Sequence, residues 1–367
     1  MAEPNEVKLL AVGDIMLGDH PVRIGHGVRS IMEKRGMKFP FQFVSPFLNS
    51  SDIVFGNLES VLSDSGLNPS RLEQSELRGR PIYAKALANA GFTVLSLANN
   101  HAMQHGVEAF RETVAALAEN KVFCVGVKDQ DGRSNTFFWQ KNNLKLGLIS
   151  YSLQPEHYHQ SHPCYALGRE EDIISHVKEL RAECDIIVVS IHWGEEYLNI
   201  PSCEQIKFGR GLADSGANLI IGHHPHVLQG IEKYGESYIA YSLGNFVFDK
   251  WQKRCRESVI LECIIDKKGI KKLRSWPVLI NRAYQPEMVV GSWADAIEKN
   301  LEKYSSWIQR GENLRLENYE RKARKAYFKF RMSCYFYFIM NIYRYSPEII
   351  LQSLTRSLRR RFGEKRK

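Results

Sequence analysis

Short runs of apolar and β-branched residues recur along the first two thirds of the chain and predict buried strands. Segments 80–90, 106–120 and 170–183 instead carry apolar residues at helical spacing. Apolar runs of this length are typical of strands buried on both faces, and their alternation with helices indicates an α/β core. The clearest strand runs are 8–12, 52–55, 93–97, 145–150, 186–191 and 218–221.

Three further runs, at 238–248, 258–265 and 271–278, predict successive strands, with a Lys-Lys-Gly turn before the last. Strand patterns stop after about Arg282, and helical patterns follow, with Pro347 expected to interrupt the last of them. We therefore expect two parts: an α/β domain over 1–282 and a helical, basic C-terminal extension over 283–367.

Polar residues that can bind metals stand where the predicted strands end. Ligands gather beyond the carboxyl ends of strands in α/β sheets, so these positions predict one shared site. The residues are Asp14, Asn57, Glu59, Asn100, His101, His192, His224 and His226.

Each of these segments also has a structural interpretation. Asp14 could cap a helix, Asn57 and Glu59 could form a polar turn, and a single histidine such as His192 is often structural. The segment GHHPHV differs, because three histidines within four residues directly after an apolar strand are hard to explain by packing. Metal binding is favoured for this segment, and it would also explain the polar residues at the ends of the other predicted strands.

Carboxylates, amide oxygens and imidazoles together favour divalent Zn, Mn or Fe. A carboxylate can bridge two such ions about 3.5–4 Å apart, and such a pair can activate water for an in-line displacement at phosphorus. We therefore expect one or two divalent metal ions as cofactors.

The motifs also carry a family resemblance over about residues 7–282. They are AVGDIMLGD, FGNLES, GFTVLSLANNH, SIHWGEEY and GANLIIGHHPHVLQGIE with YSLGNFVFD. In order and combination they resemble the capsule synthesis protein CapA family, also called the poly-γ-glutamate synthesis family. That family belongs to the calcineurin-like metallophosphoesterase superfamily. The resemblance implies a four-layer α-β-β-α sandwich for the α/β domain.

The resemblance also implies roles for individual residues. Asp14 corresponds to the first-site carboxylate, and Glu59, with Asn57 as the alternative, would bridge the metals. His101 resembles the acid that protonates the leaving group. Asn100 resembles the superfamily's asparagine ligand. His192 and His224 would belong to the second site and His226 to the first.

Three residues are expected on the substrate side. Arg78, in the segment LRGRPIY, is a candidate bidentate donor to an anionic group. His223 precedes the His-Pro-His unit and is assigned to the substrate rather than to a metal. Asn245 would support the site by hydrogen bonding, and a purely structural role is an open alternative.

Two positions depart from the pattern that the resemblance implies. Met16 stands where the superfamily usually has a histidine, which leaves the first metal short of one ligand. Gln104 stands where the family usually has an acid, and whether His105 replaces that acid stays open.

Two functions from different classes fit these features. The first is a metal-dependent hydrolase, phosphoesterase-like and linked to capsule, poly-γ-glutamate or other cell-surface polymer biosynthesis. The second is a non-hydrolytic accessory protein of polymer synthesis or export that binds an anionic polymer or a synthase. In both, we expect an anionic small molecule or polymer as the ligand.

The basic charge is concentrated in the segment 321–367. It holds 14 of the 50 Lys and Arg and only 2 acidic residues, so its net charge is +12 and that of the rest is −3. Aromatic residues stand among these cations, which suits the interface of an anionic membrane. The alternative is that the aromatic stretch packs on the α/β domain and only 356–367 is a solvated basic end.

No recognition motif for nucleic acid accompanies the basic charge, so we expect none as a partner. The N-terminal sequence lacks the pattern of a signal peptide, and the seven cysteines include no CxxC pair. We therefore expect a cytoplasmic protein with free thiols. A peripheral position at the inner face of the membrane is the alternative location.

Overall fold

The computed structural model describes residues 6–156, 163–311 and 316–362, and its core consists of two β-sheets. The strands are β1 (Val7–Ile15), β2 (Ile53–Leu58), β3 (Val61–Leu62), β4 (Arg78–Gly79), β5 (Val94–Ser96), β6 (Phe123–Val125), β7 (Phe137–Lys141), β8 (Leu144–Ser152), β9 (Ile186–His192), β10 (Leu219–His223), β11 (Ile231–Tyr234), β12 (Ser237–Ala240), β13 (Asn245–Val247), β14 (Glu257–Asp266), β15 (Gly269–Ile280) and β16 (Pro286–Met288). The α-helices are α1 (Val28–Arg35), α2 (Ser45–Leu48), α3 (Leu72–Ser75), α4 (Tyr83–Ala90), α5 (Gly106–Glu119), α6 (Glu170–Leu180), α7 (Cys203–Asp214), α8 (Ser292–Gln309), α9 (Leu316–Met340) and α10 (Pro347–Phe362).

The first sheet has the order β16-β15-β14-β1-β2-β5-β6, and β13 pairs with β1 at its end. The second sheet has the order β11-β12-β10-β9-β8-β7. Both have a parallel centre, β1-β2-β5-β6 in one and β8-β9-β10-β12 in the other. Parallel strands bring their carboxyl ends to one edge, which is where the predicted ligands stand.

Four layers follow from the packing of the buried side chains. One apolar cluster joins the facing sides of the two sheets, with Leu9 and Phe55 from the first and Leu148 and Val188 from the second. A second cluster packs α1, α2, α4 and α5 on the outer face of the first sheet. A third packs α6 and α7 on the second. The four-layer α-β-β-α arrangement expected from the sequence is confirmed.

The six clearest strand predictions correspond to β1, β2, β5, β8, β9 and β10, but the single strand predicted over 238–248 is wrong. That segment forms β12 in the second sheet and β13 in the first, and 241–244 crosses between them. Its continuous apolar pattern arises because both ends are buried, and periodicity does not show which sheet a buried strand joins.

The crossing segment passes so close to the neighbouring strands that two glycines are required. A Cβ at Gly13 of β1 would overlap the carbonyl oxygen of Gly244, and one at Gly222 of β10 would overlap that of Tyr241. These two positions hold the ends of the sheets together beside the candidate ligands.

The expected end of strand structure near Arg282 is also wrong. Strand β16 (Pro286–Met288) pairs with β15 at the edge of the first sheet, and its three residues are too short to give a strand pattern. The division of the chain into parts at 282 stays a prediction.

The C-terminal extension contains the helices α8, α9 and α10. Pro347 begins α10 rather than interrupting a helix, as suits proline at a first helical position. The break lies earlier, at the end of α9. Of the predicted helical stretch, 312–315 lies outside the described residues. No helix in the described part of the chain is both long and apolar enough to cross a membrane.

One side of α9 packs on the α/β domain and the other does not. Ala323, Ala326 and Phe330 are buried, and the Phe330 ring stacks on Tyr197 at 4.1 Å. Four residues spaced four apart on the outer side are exposed. They are Phe328, Met332, Phe336 and Met340.

Candidate metal centre

Ends of strands from both sheets meet around one buried carboxylate, that of Glu59. Glu59 follows β2 in the first sheet, while His192 ends β9 and His224 follows β10 in the second. Atoms of these three residues lie within 4.8 Å of one another, and so do atoms of Asp14, Glu59 and His226. Two potential metal-binding groups therefore share Glu59, and each takes donors from both sheets.

The environment of the Glu59 carboxylate is the observation that most directly supports bound cations. Its side chain is fully buried, and neither oxygen has a hydrogen-bond partner among the described residues. Burial, followed by the nearby charge of Asp14, raises the pKa of Glu59 well above its usual value. A buried carboxylate without partners is costly, and a metal ion is the partner that this position suits.

Asp14 is held as an anion by its neighbours. Burial alone would raise its pKa, but the contacts of the carboxylate with His223 and His226 outweigh burial and hold the pKa well below its usual value. The His223 Nδ1 donates to Asp14 Oδ1 at 3.1 Å, and the Asn57 amide donates to the same oxygen at 2.8 Å. Asp14 therefore offers a fixed negative charge beside Glu59.

His192 and His224 have the protonation that metal ligands need. Burial lowers the pKa of His192 well below its usual value and that of His224 to about 4, so both rings are neutral near pH 7. The His192 Nε2 donates to Asn100 Oδ1 at 2.9 Å, which leaves a lone pair on Nδ1. Nδ1 of both rings is buried without a hydrogen-bond partner among the described residues, as expected of atoms that bind metal.

His226 is oriented by a neighbouring amide, as metal-binding histidines usually are. Its Nδ1 donates to Asn245 Oδ1 at 2.9 Å, so Nε2 points towards Glu59 Oε1, 3.6 Å away. The φ angles of His224 and His226 are +95° and +58°, which non-glycine residues rarely adopt. A strained backbone of this kind persists only where the surrounding structure fixes it. Here it directs the imidazoles of His224 and His226 towards the same site.

His101 lies at the mouth of the site, with Nε2 3.9 Å from Glu59 Oε1. Its Nδ1 donates to Gln104 Oε1 at 2.8 Å, so the amide occupies the place expected for the family's acid. His105 does not replace that acid here, since its Nε2 contacts the carbonyl oxygen of Glu76 at 2.9 Å. Burial lowers the pKa of His101 to about 4, and a bound anion would favour the protonated form.

Two predicted residues, Asn57 and His223, lie near the site but face away from the space above it. Asn57 donates to Asp14 and accepts from Asn99 at 3.2 Å, so both ends of its amide are engaged. His223 lies behind Asp14, against Phe55. Asn57 and His223 thus position Asp14 in this structure.

Arg78 is placed differently from the expected anion-binding position. Its buried guanidinium donates to the carbonyl oxygens of Ser63, at 2.7 Å, and Ser65. These contacts fix the loop after β3, and Arg78 is absent from the described residues that line the cavity above the metal groups. The segment LRGRPIY did not reveal this, because an arginine that binds carbonyls and one that binds a ligand look alike in sequence.

Two charged residues of the site were not selected from the sequence. Glu196 Oε1 lies 3.8 Å from His226 Nε2, and Lys250 lines the same cavity. Burial would raise the pKa of Glu196, but Lys250, followed by His226, lowers it to about 2. Glu196 lies inside the motif SIHWGEEY, four residues after His192, and Lys250 stands directly after YSLGNFVFD.

Comparison with known proteins places the chain among capsule proteins. The family described as bacterial capsule synthesis protein PGA_cap matches residues 8–250. The PGA biosynthesis protein CapA of Bacillus subtilis is 33% identical over 277 residues, 74% of this chain and 71% of that protein. The capsule biosynthesis protein CapA of Bacillus anthracis is 31% identical over 338 residues, 86% of this chain and 78% of that protein.

Among solved structures, a putative 5'-nucleotidase from Staphylococcus aureus aligns with a TM-score of 0.48 at 14% identity. The alignment covers 81% of this chain and 58% of that one. The sequence matches span the strand ends that carry the candidate ligands. The chain therefore belongs to the PGA_cap family of bacterial capsule synthesis proteins.

Proposed function

We propose that the protein is a metal-dependent phosphoesterase that acts in the biosynthesis of a capsule, poly-γ-glutamate or another cell-surface polymer. The observation that carries this proposal is the buried Glu59 carboxylate, which lacks hydrogen-bond partners and is shared by two groups of potential ligands. The family membership supplies the biosynthetic context.

The two groups would hold one divalent ion each. Glu59, His192 and His224 would hold one, and Asp14, Glu59 and His226 the other. Ions held there would act as Lewis acids on a phosphoryl oxygen and lower the pKa of a water molecule. Asn100 and Asn245 fix the ring orientations of His192 and His226, so the nitrogens that face the ions keep their lone pairs.

His101 is placed to move a proton. In hydrolysis, a water oxygen bonds to phosphorus, the bond from phosphorus to the leaving oxygen breaks, and that oxygen must gain a proton. His101 Nε2 lies at the edge of the cavity next to Glu59 and would donate that proton. The proton that the attacking water loses would reprotonate the His101 ring. Gln104 holds the opposite nitrogen and so aims Nε2 at the substrate.

The test is metal content and turnover measured on the same preparations. We expect up to two Mn, Zn or Fe ions per chain and hydrolysis of bis(4-nitrophenyl) phosphate. His192→Ala should lose one ion and most of the turnover. His176→Gln, at a histidine that belongs to neither group and contacts Tyr151, should keep both. Bound metal with no turnover on any phosphodiester or phosphomonoester would overturn the proposal and favour a non-hydrolytic accessory role.

A further inference from the structure

A cavity of about 430 Å³ lies directly over the metal groups and extends under the C-terminal helices. Its volume is that of a site for a small molecule. We call the residues at its base the floor; they are His101, Glu196, His226 and Lys250. We call the side chains that α9 and α10 place over it the roof; these include Phe330, Cys334, Phe338, Ile339 and Leu354.

Lys250 is the cation of the floor. Its side chain is almost fully buried, and its ammonium donates to the Tyr197 hydroxyl at 2.9 Å. The rings of Tyr197, Phe248 and Phe330 surround the ammonium at 4.7–5.0 Å. No carboxylate in the described part of the chain lies within 4.0 Å of it, so two of its three N–H donors can serve an anionic ligand.

The roof, in contrast to the floor, is mainly apolar. Phe330 and Phe338 present aromatic surface, and Ile339 and Leu354 present aliphatic surface towards the rim, where both are largely exposed. On the opposite wall, Val22, Leu72 and Leu77 are also apolar. Arg331 and Arg356 also line the cavity, and Arg356 is paired with Glu76. A ligand that fills this space therefore exchanges water for apolar contacts along most of its length.

We propose that the substrate is an amphiphilic phosphoester, whose phosphoryl group lies on the floor beside Lys250 and whose long apolar substituent lies under α9 and α10. This proposal rests on the proposed phosphoesterase function and specifies its substrate. The apolar substituent can be an alkyl chain or an isoprenoid, since both match the same wall.

The first experiment measures binding without turnover. Methyl-, hexyl- and dodecylphosphonate are titrated into the metal-loaded protein by calorimetry, each below its micelle concentration. Affinity should rise about fourfold for each added methylene that becomes buried. Equal affinity for the three phosphonates would overturn the proposal whatever the protein hydrolyses.

The second experiment uses methyl, hexyl and dodecyl 4-nitrophenyl phosphodiesters, which share one leaving group. The longer esters should have higher kcat/KM, mainly through lower KM. Turnover of the methyl ester tests the phosphoesterase function alone. If the methyl ester is hydrolysed and kcat/KM does not change with chain length, the substrate proposal fails while the function stands. If no ester is hydrolysed, the function fails, and the phosphonate titration still decides whether the cavity binds amphiphiles.

Variants separate the two ends of the cavity. Lys250→Met should lower the affinity for every phosphonate by about 10- to 100-fold, because each loses a charged hydrogen bond to its head group. Leu354→Asp, at the exposed rim, should abolish the preference for long chains while methylphosphonate binds as before. Ile339→Asp, at a residue that also lines the cavity and is exposed, should act in the same way.

The matched control is Phe336→Ser, on the same helix as Ile339 but outside the cavity and exposed. It should behave as the unmodified protein in the phosphonate titration and in the ester assay. A chain-length preference that survives both Leu354→Asp and Ile339→Asp would overturn the placement of the apolar substituent under the roof.

Discussion

The cavity has a floor of charged side chains at the ends of strands and a roof of apolar side chains on α9 and α10. The metal groups beneath the floor are rigid, because the Asn57 amide donates to Asp14, and Asn100 and Asn245 accept hydrogen bonds from His192 and His226. The roof is held by ring contacts, such as Phe330 on Tyr197 and Tyr337 on Trp251 at 4.6 Å, and by the ion pair of Arg356 with Glu76.

This difference indicates that the two sides of the cavity have separate roles. Charges whose positions are fixed are effective in chemistry, since they need no reorganisation when charge develops. Apolar contacts are not directional, so a helical roof can differ between relatives without disturbing the floor. Changes in the floor should therefore affect the rate of reaction, and changes in the roof should affect which molecule is bound.

The largest effect is expected from Glu59→Gln in the metal groups beneath the floor. The substitution keeps the shape but removes the negative charge that both metal groups share. Turnover should fall by at least about 10³-fold, because the charge stabilisation that a metal supplies is worth several kcal/mol. Elemental analysis should show fewer than two ions per chain. Glu108→Gln, at an exposed pair with Arg111, serves as the control. Full metal content in Glu59→Gln would contradict the assignment of Glu59 as a ligand that both metal groups share.

His101→Ala should have a smaller effect, about 10²-fold on a phosphoester with a poor leaving group, and leave the metal content unchanged. The loss should shrink for 4-nitrophenolate, which needs little protonation. Rates are compared for 4-nitrophenyl and alkyl esters of the same phosphate. An equal loss on both would contradict the assignment of His101 as the proton donor.

Asp249, which contacts His20 beside the roof, should make stability depend on pH. Burial, followed by the charge of Asp19, raises its pKa to about 7, against an ordinary value of about 3.9. Between these values the folded protein binds more protons than the unfolded chain. The free energy of unfolding should therefore fall as pH rises through this window, by up to about 1.4 kcal/mol per pH unit.

Asp249→Asn should remove this decline while keeping an acceptor for the His20 N–H, which now donates to Asp249 at 2.9 Å. Urea unfolding at pH 5, 6, 7 and 8 checks this, with the surface substitution Asp131→Asn as control. The gain over the unmodified protein should grow with pH. Parallel pH profiles for the two proteins would contradict the raised pKa.

The smallest effect concerns the outer side of the roof, which we propose to contact an anionic membrane. The exposed Phe328, Met332, Phe336 and Met340 form an apolar stripe, and Lys325 and Lys329 flank it. The full chain should co-sediment with vesicles that contain anionic lipid at low salt and lose binding at high salt. Phe328→Ser combined with Met340→Ser should weaken binding by about tenfold. If anionic vesicles at low salt bind none of the protein, the proposed contact is absent.

The metal groups beneath the floor were largely predictable from sequence and the roof was not, for a physical reason. Asp14, Glu59 and His192 each follow or end a short apolar run, and parallel strands bring such positions together. Helical composition predicted a helix over 312–345, of which 316–340 forms α9, but the contact of Phe330 with Tyr197 depends on packing between distant segments. For the same reason the buried position of Lys250 and the carbonyl contacts of Arg78 could not be read from their neighbours in the sequence.

Each potential metal group takes donors from both sheets, and this has a consequence for folding. Glu59 belongs to the first sheet, and His192 and His224 extend from the second, so neither sheet alone presents a complete set. Cations can therefore bind tightly only after the two sheets have docked, and they stabilise the docked state by about 2.7 kcal/mol per site at a concentration of 100 Kd. Availability of metal ions during synthesis would thus set how firmly the two halves of a newly made chain stay joined.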